Sequence, residues 1–318
     1  MGPGFNRGKN MAMNKKGMFF TLITILMMAV FIIYLVSENK YSISDKMYSD
    51  SIRINTMNEF INDVELDLSR GLYISGFRSI LSMNEYIANN GVFLINAEDS
   101  FKEAFFNGSI NNQQSSLMTA ATFPDWVNNI KSKASILNLN IDFYNDNLEI
   151  LQKSPWEITL IYDTTINLTD KKNTASWIKN ESIEIQIDIN GFEDPLYTIK
   201  SYGTATNIIN RTIYSGNYVN GPDVSNLYKH VQYSLYDFNP NAPNFLMRFE
   251  NNLNPSSCCG IESFVNEQDL NPQQSSEKSN IDWIFFNPSS NLASHTVTGM
   301  QSWFKIDSNY GHTAQYGV

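Results

Sequence analysis

Residues 18–36 run Met-Phe-Phe-Thr-Leu-Ile-Thr-Ile-Leu-Met-Met-Ala-Val-Phe-Ile-Ile-Tyr-Leu-Val without a charged position. A helix of that length rises roughly 28 Å, the hydrocarbon thickness of a bilayer, so the pattern predicts one transmembrane helix. Thr21 and Thr24 can return their hydroxyls to the preceding turn and do not forbid the span. Beyond it, Met47, Ile54, Ile61 and Leu68 recur every seventh residue, with Met57 and Val64 interleaved. This is a heptad seam, spoiled where Asp50 and Gly71 stand at two of its positions. It predicts an extended helix with one face against the chain's own folded domain, a sister subunit being the alternative partner. Gly71 and Gly76 are expected to break or kink it, with Phe77, Ile80, Leu81 and Ile87 continuing the helical pattern to Asn89-Asn90-Gly91.

Residues 92–155 read as short helices and loops. One helix is expected over 97–106, with Phe101, Ala104 and Phe105 on one side, and a loop over 107–116. A second helix opens at Pro124-Asp125-Trp126 and runs to Leu137. From Trp156 the period becomes two. Ile158, Leu160 and Tyr162 alternate with other residues as far as Leu168. After the polar turn at 169–173, Ile183, Ile185, Ile187 and Ile189 alternate strictly with Glu184, Gln186, Asp188 and Asn190. The two runs predict an antiparallel pair, closed by Asn190-Gly191 and turned again at Asp194-Pro195. Shorter β-like runs follow at 197–202, 208–214, 245–249, 283–286 and 300–306. The expected fold is α+β: a basic leader (1–17), a transmembrane helix (18–36), an extended amphipathic helix (37–91), short helices and loops (92–155), and a mainly antiparallel, β-rich extracellular domain (156–318).

Charge supplies the orientation. Arg7, Lys9, Lys15 and Lys16 precede the span with no acidic residue among them. The whole chain carries −10, so everything after residue 17 carries −14. By the positive-inside rule the N-terminus is cytoplasmic and the large C-terminal part lies outside the cell membrane. Val36-Ser37-Glu38-Asn39 is a poor signal-peptidase site, which predicts an uncleaved signal anchor. An acidic chain without a basic face is not expected to bind nucleic acid. Its 318 residues include about forty Asn, a composition that favours polar loops.

Lys15-Lys16-Gly17 followed by Met18-Phe19-Phe20-Thr21-Leu22-Ile23 resembles the leader of archaeal type IV pilin-like precursors. The resemblance implies a leader-peptidase site at Lys16, Gly17 and Met18, with cleavage after Gly17. Phe20-Thr21-Leu22-Ile23 also resembles the start of bacterial pilins, but Thr24 stands where their Glu follows, and the fifth residue after such a cut is Leu22. The carboxylate that would pair with a neighbouring subunit's N-terminal amine is missing. The runs at 191–197 (Gly-Phe-Glu-Asp-Pro-Leu-Tyr), 244–250 (Asn-Phe-Leu-Met-Arg-Phe-Glu) and 260–266 (Gly-Ile-Glu-Ser-Phe-Val-Asn) resemble a family of uncharacterised archaeal membrane-anchored proteins. That resemblance implies the same architecture and carries no activity with it.

Candidate chemistry is sparse. His230, His295 and His312 share no helical spacing, and no His-Glu-x-x-His, Gly-x-Ser-x-Gly or phosphate-loop pattern is present. Asp188, Asn190, Gly191, Glu193 and Asp194, and separately Asp307, Asn309 and Gly311, offer oxygens at loop spacing but fall short of a calcium loop and read as capped turns. Glu193 and Asp194 are adjacent, which suits no glycosidase pair across a cleft. Cys258 and Cys259 are consecutive, and read as a vicinal disulfide, with free thiols or an intermolecular bridge as alternatives. Asn107, Asn167, Asn180 and Asn210 each begin an Asn-x-Ser/Thr sequon and are possible N-glycosylation sites. No catalytic, cofactor or metal residue is expected. The sequence therefore predicts a membrane-anchored cell-surface protein with a structural, adhesive or binding role. A pilin-like subunit associating through its N-terminal helix is the first alternative and an extracellular hydrolase the second.

Overall fold

The computed structural model describes residues 15–270, 277–290 and 292–318, and leaves the leader residues 1–14 outside the described part. The fold is α+β, with one long apolar N-terminal helix and antiparallel sheets. The chain divides into two units, 1–60 and 61–318. Helix α1 is Lys15–Asn90. In the first unit its segment Phe19–Ser37 is long and apolar enough to cross a membrane, and none of it is buried. Met47 and Ile54 of the heptad pattern are also exposed.

In the second unit the helix buries Ile61, Val64, Leu68, Leu72, Ile80, Met83 and Ile87, a stripe at steps that keep one face inward. The break expected at Gly71 and Gly76 is absent, because both residues are helical. They serve close packing instead. A Cβ on Gly71 would stand 2.9 Å from three ring atoms of Trp126, and one on Gly76 would stand 2.5 Å from Leu160 Cδ1 and 3.0 Å from Ile187 Cδ1. Gly71→Leu is expected to displace the indole, break its 3.2 Å bond to Asp67, and cost about 1–3 kcal/mol in urea denaturation. A variant as stable as the parent would contradict this packing.

Helix α2 (Ala97–Asn107) starts where Asn96 caps the Asp99 amide and ends at Gly108 in the left-handed region. It presents Phe101, Ala104 and Phe105 inward, as expected. A small hairpin, β1 (Ser109–Ile110) and β2 (Gln113–Gln114), occupies the stretch expected to be loop. Helix α3 (Phe123–Ile136) opens on a reciprocal Thr122–Asp125 capping box, with Pro124 in its first turn.

The main sheet has the order β3-β4-β5, all antiparallel, with β3 Leu139–Ser154, β4 Glu157–Asp170 and β5 Ser176–Asp188. The pairing of β4 with β5 follows the alternation read in the sequence. Ile187 and Ile189 are buried while Ile183 and Ile185 are half-buried, since β5 is an edge strand. Strand β3 replaces the helices and loops expected to fill the stretch before 156. A bulge between Tyr144 and Asn147 switches its inward positions from Leu139 and Ile141 to Leu148 and Ile150, which destroys the period-two signal. The inward face of β4 (Ile158, Leu160, Tyr162, Ile166 and Leu168) is buried, and Tyr162 meets Phe123 edge-on in a stack running from Phe105 through Phe123 to Trp126.

After β5 the expected β-rich domain is mostly turns and short helices. The elements are α4 (Pro195–Lys200), α5 (Ser225–Gln232), β6 (Asp237–Phe238), α6 (Phe245–Phe249), β7 (Ile261–Glu262), α7 (Asp282–Phe285), β8 (Ser294–Thr296), β9 (Lys305–Asp307) and α8 (His312–Tyr316). β6 pairs with β7, and β8 with β9. Three of the β-like runs are therefore helical turns. Asp194 caps α4 ahead of Pro195, and Asn244 caps α6, so local side-chain bonds to backbone amides override short apolar runs. The run at 208–214 makes only isolated bridges, to Glu193 and Tyr236.

Candidate functional site

The segment after β5 buries ionised and hydroxyl groups at its centre. Arg248, on α6, is fully buried. Its Nη1 donates to Asp194 Oδ2 at 2.5 Å and to Asp282 Oδ2 at 2.8 Å, and its Nη2 donates to the Ile261 carbonyl. Both carboxylates are placed by helix starts: Asp194 accepts the Leu196 amide at the head of α4, and Asp282 begins α7. Tyr236 donates to Asp194 at 2.7 Å, Ser263 donates to Asp282 at 3.2 Å, and the Tyr197 and Ser263 hydroxyls meet at 2.7 Å. Burial opposes the charge on Arg248, but Asp194 and Asp282 outweigh it and hold the guanidinium above its ordinary value. Burial pushes Asp282 up to about 6 even beside Arg248, with Asp194 and Glu262 adding to the rise.

A second cluster adjoins through β7 and α7. Glu262 accepts from Trp283 Nε1 at 3.0 Å, Tyr316 Oη at 2.9 Å and Asn239 Nδ2 at 3.0 Å. His312 lies between two carboxylates, with Nε2 3.2 Å from Glu262 and Nδ1 2.9 Å from Asp307. Two acceptors demand a proton on each ring nitrogen. Burial works against that charge, but Glu262 and Asp307 push the imidazole up to about 9. Both carboxylates lie below their ordinary values despite burial, chiefly because His312 faces them. His230 is the converse: its Nδ1 is 3.0 Å from Thr212 Oγ1, its Nε2 has no partner, and burial pushes it down to about 4, so it is neutral.

Acid, base and hydroxyl groups of the kinds used in catalysis are thus present, yet Arg248, Asp194, Asp282, Glu262, Ser263 and His312 have no exposed surface. Their hydrogen bonds go to one another, and they tie α4, α6, β7, α7, β9 and α8 together. What the arrangement does directly is fix these short elements, which carry little regular backbone pairing of their own.

The other candidates are scattered. Lys16, Gly17 and Met18 are helical in the first turn of α1, and their side chains lie outside the described part. Cys258 and Cys259 are joined to each other by a disulfide, with Cys259 Sγ 3.1 Å from the Gln152 carbonyl on β3. The loop oxygens do not converge: Asp188 accepts from Asn190, Asp194 turns into the Arg248 cluster, and Asp307 accepts from Asn309 and faces His312. Among the described residues no group of three or more His, Cys, Asp or Glu is arranged to hold a metal. His295 is exposed on β8. Asn107, Asn180 and Asn210 are exposed, and Asn167 is half-buried on β4.

Sequence reasoning missed Arg248, Glu262 and Asp282 as partners, although a signal was there. The runs 191–197, 244–250 and 260–266 each set a charged or hydroxyl residue among apolar or aromatic neighbours, and they supply Asp194, Tyr197, Arg248, Glu262 and Ser263. No protein-family model, no curated protein and no solved structure matches the chain.

Proposed function

We propose that the chain is a single-pass membrane protein, with its N-terminus in the cytoplasm and its folded C-terminal domain outside the cell, acting in structure, adhesion or binding rather than catalysis. The observation that carries this reading is the segment Phe19–Ser37, which holds no charged residue and is not buried by any of the described residues. A soluble protein would leave some nineteen such residues in water. The basic residues before it and the −14 after it support the orientation. Alkaline carbonate washing of native membranes tests the anchor: the protein is expected to stay in the pellet, and release into the supernatant would defeat the reading.

A pilin-like subunit is the second reading, favoured by the Lys15-Lys16-Gly17 leader ahead of an exposed apolar helix whose continuation from Ile61 to Ile87 packs on the domain. Against ordered assembly, Leu22 stands fifth after Gly17, and Thr24 donates its hydroxyl to the Phe20 carbonyl at 2.8 Å within its own helix. Intact mass of the membrane-extracted protein separates the two. A chain starting at Met18 favours the subunit, and one retaining residues 1–17 favours the plain anchor.

A further inference from the structure

We propose that the cleft between the last turns of α1 and the β1–β2 hairpin binds a single neutral sugar residue. The cleft holds about 150 Å³ and is walled by Glu85, Tyr86 and Asn89 on one side and Gln113, Gln114 and Ser116 on the other. Glu85 and Tyr86 lie four and three positions before Asn89, so all three share one polar stripe, distinct from the buried Ile80, Met83 and Ile87.

The site is built before any ligand arrives. Glu103, on α2, accepts from Ser109 Oγ at 2.7 Å and from the Asn111 and Asn112 amides at 2.9 Å each, which fixes the hairpin to α2. Asn111 Nδ2 donates to Tyr86 Oη at 3.0 Å, Asn90 Nδ2 donates to Gln113 Oε1 at 3.3 Å, and Ser115 Oγ donates to Glu85 Oε2 at 3.0 Å. These bonds hold Glu85, Tyr86 and Gln113 by one side-chain atom each. They leave the second Glu85 oxygen, the Tyr86 phenol proton, the Gln113 amide nitrogen and the Asn89 and Gln114 amides for a ligand.

That set defines the ligand class. One carboxylate and no Lys, Arg or His argue against phosphates and other anions. Eight polar side chains around a small space argue against an apolar molecule. A lone carboxylate supplies too few fixed oxygens for calcium. A pyranose matches, since every hydroxyl both donates and accepts, and Tyr86 brings an aromatic ring to the wall. The proposal concerns the folded domain alone and does not depend on the membrane reading.

The test is saturation-transfer NMR on the full chain in a zwitterionic, sugar-free detergent, with glucose, galactose, mannose and N-acetylglucosamine offered separately at tens of millimolar. At least one is expected to show transfer that inorganic phosphate does not compete away. Glu85→Gln is expected to weaken that binding about tenfold, the worth of one hydrogen bond to a charged group. Asn89→Ala, whose side chain makes no bond to the hairpin, is expected to weaken it several-fold and covers the case in which the Glu85 variant misfolds. Transfer from none of the four sugars, or transfer unchanged in both folded variants, would overturn the proposal.

Discussion

Replacing Arg248 with Met is expected to destabilise the folded chain by about 3–5 kcal/mol, the usual cost of removing one partner from a buried ion pair. The loss comes from what remains, because Asp194 and Asp282 share that guanidinium in a region with no solvent contact. Adding Asp194→Asn and Asp282→Asn to the Met variant is expected to recover part of the loss, since neutral amides carry no stranded charge. A half-exposed surface pair such as Lys153–Glu184 serves as the control, and its removal should have little effect. Urea denaturation followed by far-UV circular dichroism reads all three cases. An Arg248→Met cost below about 1 kcal/mol, no more than a surface pair is worth, would mean that the buried pair does not form as described.

Stability is also expected to fall on both sides of about pH 6.5, because the two buried histidines titrate in opposite senses. His312 is raised to about 9 from an ordinary 6.5, so the folded state holds that proton more tightly than the unfolded one. Its contribution, about 3 kcal/mol, is complete below pH 6.5 and is lost as pH rises through about 9. His230 is pushed down to about 4, so the unfolded chain takes up the proton first. Its effect is absent above pH 6.5 and grows as pH falls toward 4. Glu262 and Asp307, held below their ordinary values, add to the acid limb: their stabilisation is present above 4.5 and 3.8 and disappears as pH falls through the folded-state values. Asp282, raised to about 6, works the other way and softens that limb, because the folded state keeps its proton. His312→Gln should flatten the alkaline limb and His230→Phe the acid one, read from urea midpoints across the range. An alkaline limb unchanged in His312→Gln would contradict a doubly protonated imidazole between two carboxylates.

Elements built on long, unbroken periodicity were legible in the sequence. The apolar run at 18–36 gives a membrane-length helix, and the Ile183–Ile189 alternation gives β5 paired with β4. Strand β3 was hidden because its bulge moves the buried positions by one residue in mid-strand. Gly71 and Gly76 do not break the helix as expected, because helix-breaking is a local argument, whereas their role is to admit Trp126 and Leu160 from distant segments. The later helices read as strands because runs of four to six partly apolar residues do not distinguish the two, and the caps at Asp194 and Asn244 decide for α4 and α6. The buried network was the least legible part. Its members are separated by up to 122 positions, from Asp194 to Tyr316, and only tertiary packing shows that Arg248 meets Asp194 and Asp282 while Glu262 meets His312.

The proposed topology is tested most directly by labelling intact cells with a membrane-impermeant amine reagent and mapping the modified lysines by mass spectrometry. Lys133 and Lys172 are exposed in the folded domain, while Lys9, Lys15 and Lys16 precede the apolar segment. Labelling of Lys133 and Lys172 in intact cells, with Lys9, Lys15 and Lys16 either modified only after lysis or removed with a cleaved leader, is the result expected of an outward domain on one span. Protection of Lys133 and Lys172 until the cells are lysed would contradict it.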